Sequence, residues 1–250
     1  MACLSGTENR HMTLSLNGMK GRLLSNSNHR KALQYLFFES LNLDMIPEVD
    51  RLKTHINPQI YLSLQAGNLS EERVREIIDE GKPHVKAFLE ATKKNPLFFG
   101  YTKSTKWYRD YLESKGVVFS DKAGIIKGRV LMNMYYKTYE PDMLPIYHSV
   151  FSGDPDGVYH SIGKNGAISS PMTYRKEVGD LLEDGRKILE MDQIKPHYEK
   201  VSEAVLKEVP FLHMGFLKDM VIVRKDSVEL NRTYLNREQG RFTDYSPVGK

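Results

Sequence analysis

Cysteine is nearly missing from this sequence. Cys3 is the only one in 250 residues, which excludes an intrachain disulfide, zinc sites built on paired cysteines and redox Cys-x-x-Cys motifs. No apolar run approaches the roughly 18 residues of a membrane-spanning candidate, in keeping with a mean hydropathy of -0.48. The start, Met1-Ala2-Cys3-Leu4-Ser5-Gly6, has neither a basic region nor an apolar stretch of the secretory kind. Export would therefore require a longer precursor, and Cys3 lacks the hydrophobic segment that precedes a lipoprotein attachment site. Charge of one sign is also scarce. With 36 basic and 32 acidic residues the formal charge is +4, too little to announce a phosphate backbone, so no nucleic acid is expected as partner.

What the chain does have is apolar and aromatic area. A hydrophobic fraction of 40%, with 14 Tyr and 10 Phe, supports a sizeable core and argues against disorder. The length fits one large domain or two small ones. No internal repeat or low-complexity tract is visible.

Periodicity gives the order of elements. Residues 1–11 read as a flexible terminus. Met12, Leu14 and Leu16 then alternate with Thr13, Ser15 and Asn17 as in a half-buried strand, and Asn17-Gly18 marks a turn. Ser25 or Ser27 can cap a helix carrying Ala32, Leu33, Leu36 and Phe37 on one face. Pro47 and Pro58 interrupt the following stretch, in which Ile60, Leu62 and Leu64 suggest a short strand. Ser70 caps a helix with Val74, Ile77 and Ile78 inside, and Gly81-Lys82-Pro83 leads to a second with Val85, Phe88 and Leu89, so that 70–94 is helical. Residues 103–115 form a helix with Trp107, Tyr108, Tyr111 and Leu112, Gly116 ends it, and 117–120 is a strand. Residues 129–136 read as another strand, and Pro141 opens a helix running to Phe151. The stretch 153–171 is rich in Gly, Ser, Asp and Asn and reads as a long surface loop. Helices are expected over 173–190 and 192–208, followed by short strands at 211–216 and 220–223 and a polar tail. Mixed strands and helices in this order point to an α/β layered domain.

Local catalytic signatures are lacking. There is no Gly-x-Ser-x-Gly elbow and no phosphate-binding Gly-rich loop. Asp154-Pro155-Asp156-Gly157 lacks the geometry of a calcium loop. The eight histidines are dispersed with no His-x-x-x-His pair, so no metal is assigned. The feature that stands out is Tyr135-Tyr136-Lys137-Thr138-Tyr139-Glu140-Pro141-Asp142, aromatics at a strand end followed by a proline. Such positions border ligand crevices, and tyrosines offer flat faces and hydroxyls to a bound solute. The alternative is core aromatics followed by an ordinary connecting turn.

Several stretches together resemble the family 5 extracellular solute-binding proteins, the peptide- and nickel-binding components of ABC importers. Asn28-His29-Arg30-Lys31-Ala32-Leu33-Gln34-Tyr35 resembles the family's Arg-x-Ala-Leu helix start; Tyr111-Leu112-Glu113-Ser114-Lys115-Gly116-Val117 resembles its helix, glycine and strand; 136–141 resembles its aromatic, Pro-containing ligand segment. Tyr198-Glu199-Lys200-Val201 through Glu208-Val209-Pro210-Phe211 resembles its closing helix, acid-Pro junction and strand. The resemblance implies a periplasmic-binding-protein-like (type II) lobe over 12–235, a mixed sheet flanked by helices, with a polar tail at 236–250. It implies the C-terminal lobe, or a fragment, of a clamp that binds peptides or a similar small solute and passes it to a permease. No catalysis and no cofactor are expected, and the setting is periplasmic or cell-surface. Ligand contacts are expected at Tyr136, Thr138, Tyr139, Glu140 and Asp142, with a missing first lobe or self-association as further partners. One departure bears on specificity: the acid that meets a peptide's amino terminus in oligopeptide binders would fall at Lys137 or Thr138. Two other classes stay open. One is a basic nucleic-acid- or anion-binding module using Arg30, Lys31, Lys93, Lys94, Lys103 and Lys106; the other is a hydrolase or transferase with a site assembled from distant segments.

Overall fold

The computed structural model describes residues 2–42, 54–61, 66–149, 155–167, 169–223, 228–230 and 245–247. The expectations for Leu62, Leu64, Val150, Phe151 and Asp154, and for the tail beyond Leu235 apart from 245–247, lie outside them. A four-stranded antiparallel sheet has the order β2, β6, β1, β5, formed by Thr54–Ile56, Phe211–Val223, Ala2–Leu16 and Met143–Ser149. The strand containing Met12 thus starts at Ala2. It pairs with β6 from Ser15↔Phe211 out to Ala2↔Val223, and this long-range partner, which no local pattern announces, carries residues 2–10. The two short strands expected at 211–216 and 220–223 are one strand, interrupted in register but continuous in pairing.

β1 explains why the sheet is sandwiched. Met12, Leu14 and Leu16 point to one face and are at most 4% exposed. They pack on Leu33, Leu36 and Phe37 of α1 (Ser27–Asn42), Phe88 of α3 (Val85–Lys94) and the aromatic face of α4 (Lys106–Ser114). The alternating polar residues His11, Thr13 and Ser15 are equally buried on the other face, so the strand is not half-solvated as its pattern suggests. That face is covered by α7 (Lys176–Gly185) and α8 (Met191–Glu208), which pack with Phe211, and by the cluster of Leu131, Tyr135, Leu144, Ile146 and Met172.

The helix read after Ser70 forms where its cap and apolar face place it. Ser70 accepts a hydrogen bond from the Arg73 N–H at the start of α2 (Glu71–Asp79), and Glu71 and Glu72 complement the positive helix end. Val74, Ile77 and Ile78 are buried, each contributing about 2 kcal/mol of apolar burial. Gly81 allows the close approach of α1: a Cβ there would lie 2.1 Å from the Lys31 carbonyl oxygen.

Further expectations are corrected. Residues 129–136 are not a strand: α5 (Gly128–Asn133) continues into a π-helical turn, Met134–Thr138. Leu131 and Tyr135, four apart, are the buried pair, while Val130 and Met132 are exposed, so burial follows the helical period. Pro141 opens no helix. Met143 to Ser149 pair with β1 instead, and Pro145, which cannot donate to a ladder, sits on the edge strand opposite Leu14. Residues 153–171 are not all surface loop, because Pro155–Val158 and α6 (Tyr159–Ile162) bury Val158, Tyr159 and Ile162. The helix expected over 173–190 is confined to α7; it stops at Gly185, against which His197 and Tyr198 pack, and Leu189 is 90% exposed. At 117–120 the extended segment makes a single parallel bridge, Leu97↔Phe119, beside the two-residue strands β3 (Gly100–Tyr101) and β4 (Gly124–Ile125).

Candidate functional site

The segment 134–142 leaves the π-helical turn and reverses into β5 through Tyr139, a non-glycine residue in the left-handed region at φ 50°. That conformation costs about 1–2 kcal/mol. Three groups offset it. The Tyr139 N–H donates to the Met134 carbonyl at 2.9 Å, and the Tyr139 carbonyl accepts from Asn17 Nδ2 at 2.8 Å and from the Arg22 guanidinium at 2.9 Å. Asn17 Nδ2 also donates to the Pro141 carbonyl at 3.0 Å, its backbone N–H to the Asp142 carbonyl at 2.8 Å, and its Oδ1 accepts from the Met19 N–H. Asn17 therefore fixes both limbs of the turn. Its short amide offers two donors and an acceptor, a set no apolar residue could replace.

The five expected ligand residues fall on one turn but not all on its surface. Thr138 and Glu140 are exposed, and Tyr136 and Tyr139 are half-buried. The Tyr139 hydroxyl donates to the Tyr136 carbonyl at 2.7 Å, and Tyr136 sits edge-on to Tyr135 at 4.8 Å. Asp142 turns inward and is 7% exposed. Its Oδ2 accepts from the Phe98 N–H at 2.8 Å and its Oδ1 lies 3.9 Å from Arg22. Burial pushes this carboxyl above its ordinary range, while the Phe98 N–H and Arg22 oppose the shift. Asp142 still borders an open cavity of about 550 Å³ with Arg22, His29 and Lys94.

A second brace lies beneath the turn. Ser170 Oγ donates to the Tyr135 carbonyl at 2.8 Å, and the fully buried Tyr135 hydroxyl, pushed by desolvation up to about 12, is 3.3 Å from Thr173 Oγ1. Arg175 holds the carbonyls of Leu16, Met172 and Tyr174. Burial, with Arg30 nearby, lowers it to about 10. Gly18 leaves room for this side chain, since a Cβ would fall 2.2 Å from the Arg175 guanidinium and push it aside.

Reading the sequence alone missed Asn17 and Arg22 as site-shaping residues. Asn17-Gly18 was legible as a turn, but its partners lie more than 110 residues away. It also missed that two dispersed histidines meet. His213 Nε2 is 2.8 Å from His11 Nδ1 across β1 and β6, and His213 Nδ1 is 2.6 Å from the Asn57 carbonyl. Among the described residues no group of three or more His, Cys, Asp or Glu is placed to hold a metal, and no helix is long and apolar enough to cross a membrane. The basic cluster proposed for an anion-binding module is largely committed elsewhere. Arg30 is buried against Glu208, Lys31 pairs with Glu80, Lys93 with Glu90 and Lys106 with Asp110.

No protein-family model and no curated protein matches the sequence. Solved structures do match the fold. OppA of Burkholderia pseudomallei superimposes with a TM-score of 0.69 at 12% identity, covering 90% of this chain and 46% of that one. The oligopeptide-binding protein AppA of Bacillus subtilis, solved with a nonapeptide, matches at 0.67 and 12% identity over 99% of this chain and 52% of that one. The periplasmic murein tripeptide-binding protein MppA matches at 0.66 and 12% identity over 91% and 45%. The chain thus spans about half the length of the structures it resembles. Its fold is that of a periplasmic-binding-protein lobe, α/β with sheets flanked by helices, of the kind found in the family 5 oligopeptide- and dipeptide-binding proteins.

Proposed function

We propose that this chain is the substrate-binding component of an ABC importer, or one lobe of it, binding peptides or a similar small solute without catalysis and handing it to a permease at the cell surface or in the periplasm. The solute meets the turn formed by Tyr136, Thr138, Tyr139, Glu140 and Asp142. The observation that carries this reading is an aromatic turn, pinned by Asn17 and Arg22 in a strained conformation, on a fold shared with proteins whose structures hold or are named for peptides. Strain of this kind persists where the surroundings over-determine it, and it clusters at binding sites. Thr138 and Glu140 present polar groups, and Tyr136 and Tyr139 present ring faces, a combination suited to holding peptide backbone and apolar side chains together.

A single lobe leaves one side of its solute wet, so affinity in this chain is expected near millimolar, about 4 kcal/mol weaker than micromolar. Calorimetric titration of a short peptide panel into the wild-type chain and Tyr139→Ala tests the assignment. At least a fivefold loss in the variant is expected, and unchanged affinity would remove the aromatic platform from the account.

A further inference from the structure

We propose that His11 and His213, with His148 at the register position opposite His11, form a site for one divalent transition-metal ion of the zinc class, held against the sheet. The site shares no residue with the candidate turn and does not depend on the solute-binding reading. His11 and His213 are 5% and 4% exposed, and His11 Nδ1 lies 2.8 Å from His213 Nε2. His213 Nδ1 is 2.6 Å from the Asn57 carbonyl, a contact that requires the proton on that nitrogen. In the neutral ring Nε2 is therefore the lone-pair nitrogen, and it faces His11. A histidine oriented by a carbonyl through one nitrogen and presenting the other is the arrangement that metal ligands adopt.

The strand register gathers further imidazoles around this pair. Residues directly opposite in an antiparallel pair share a face of the sheet. On β6, Phe216 stands opposite His11, and the two rings are 4.5 Å apart. On β5 the residue opposite His11 is His148, and on β2 the residue opposite Phe216 is His55. Four of the chain's eight histidines thus belong to one face of the sheet, although they are scattered along the sequence. Imidazole suits zinc, nickel and copper, whereas calcium and magnesium seek oxygen, and among the described residues no carboxylate completes a group with the histidine pair. Tetrahedral zinc, with bonds of about 2.0–2.1 Å, sets its ligand nitrogens about 3.3 Å apart, so the pair opens by about half an ångström as the ion enters. The proton between the rings passes to His11 Nε2, both rings stay neutral, and each gives one lone pair to the ion. The Phe216 ring, 5.0 Å from that of His213, keeps this side of the site apolar. An ion held there ties β1, β6 and β5 together and, through Asn57, the chain that follows β2.

The test uses the full chain, stripped with EDTA and titrated with zinc chloride by calorimetry, with cobalt chloride as a spectroscopic stand-in. One ion per chain is expected to bind, to raise the thermal denaturation midpoint and, as cobalt, to show the intense visible absorption of tetrahedral coordination. Magnesium chloride is expected to do neither. His213→Asn keeps a donor for the Asn57 carbonyl and removes the second ring nitrogen, so zinc should bind it about 100-fold more weakly. His148→Ala should lose about 10-fold, and His160→Ala, at an exposed position, should bind as wild type does. Long-range 1H–15N spectra of the wild-type chain give a readout that needs no variant to fold: the ring nitrogens of His11 and His213 should shift together and saturate at one equivalent of zinc. No zinc binding by wild type, an octahedral cobalt spectrum, or ring shifts confined to other histidines would overturn the inference. So would zinc affinity within threefold of wild type in a folded His213→Asn or His148→Ala.

Discussion

The two faces of β1 are buried to the same degree by different means. On one face Met12, Leu14 and Leu16 lie among leucines and aromatics of α1, α3 and α4. On the other, His11, Thr13 and Ser15 are just as inaccessible, and their polar groups need particular partners: Thr13 Oγ1 donates to the Ile146 carbonyl at 3.1 Å, and His11 meets His213. An apolar face is satisfied by any neighbour of suitable volume. A buried polar face costs free energy unless each group finds its partner, so it specifies which strand and which loop lie against it. The candidate turn packs on the polar face through Tyr135, Leu144 and Ile146. The apolar face holds the lobe together, and the polar face positions the turn.

This contrast can be tested by substitution. Leu14→Ala should be the most damaging change, about 3–4 kcal/mol from lost burial and a residual cavity, read as a shift of the denaturation midpoint. Asn17→Ala should follow at about 2–3 kcal/mol, because it leaves the buried Pro141 carbonyl without this donor and the Tyr139 carbonyl with Arg22 alone; amide exchange at 136–142 should accelerate selectively. Thr13→Val keeps the shape but loses one hydrogen bond and should cost about 1 kcal/mol. Were Thr13→Val as costly as Leu14→Ala, the division between the two faces would fail.

The smallest effects concern acid, where two carboxyls should respond in opposite directions. The Arg73 guanidinium and then Lys207 hold Glu203 down to about 2, so the stability it contributes is present above the ordinary carboxylate pKa and is lost as pH falls from about 4.5 towards 2. Asp142 is raised by burial, so its folded form binds the proton more tightly and its contribution becomes more favourable as pH falls. Urea midpoints compared across pH 2–6 should therefore show a shallower acid limb for Glu203→Gln than for wild type and a steeper one for Asp142→Asn. Surface screening keeps the Glu203 effect below about 1 kcal/mol.

What could be read from the sequence follows from how local each signal is. The helix after Ser70 was legible because its cap, its acidic first turn and the spacing of Val74, Ile77 and Ile78 all lie within nine residues. The β5 strand was not, because Pro141 and Pro145 mimic a helix start, and the pairing that overrides them comes from β1, some 130 residues earlier. The stretch at 129–136 failed for the reverse reason: its alternation is real in composition, but only Leu131 and Tyr135 find a core to enter. At the site, the aromatic run and its proline drew notice as residue types. The inward turn of Asp142 and the clamp by Asn17 are tertiary facts with no short-range trace.

The central claim, that the pinned turn at 136–142 is the solute-facing element of this lobe, is tested most directly by intermolecular NOEs between a bound tripeptide and the aromatic rings. The account predicts cross-peaks from the peptide to the ring protons of Tyr136 and Tyr139. Cross-peaks confined to α2 and α3, with none to either tyrosine, would contradict it.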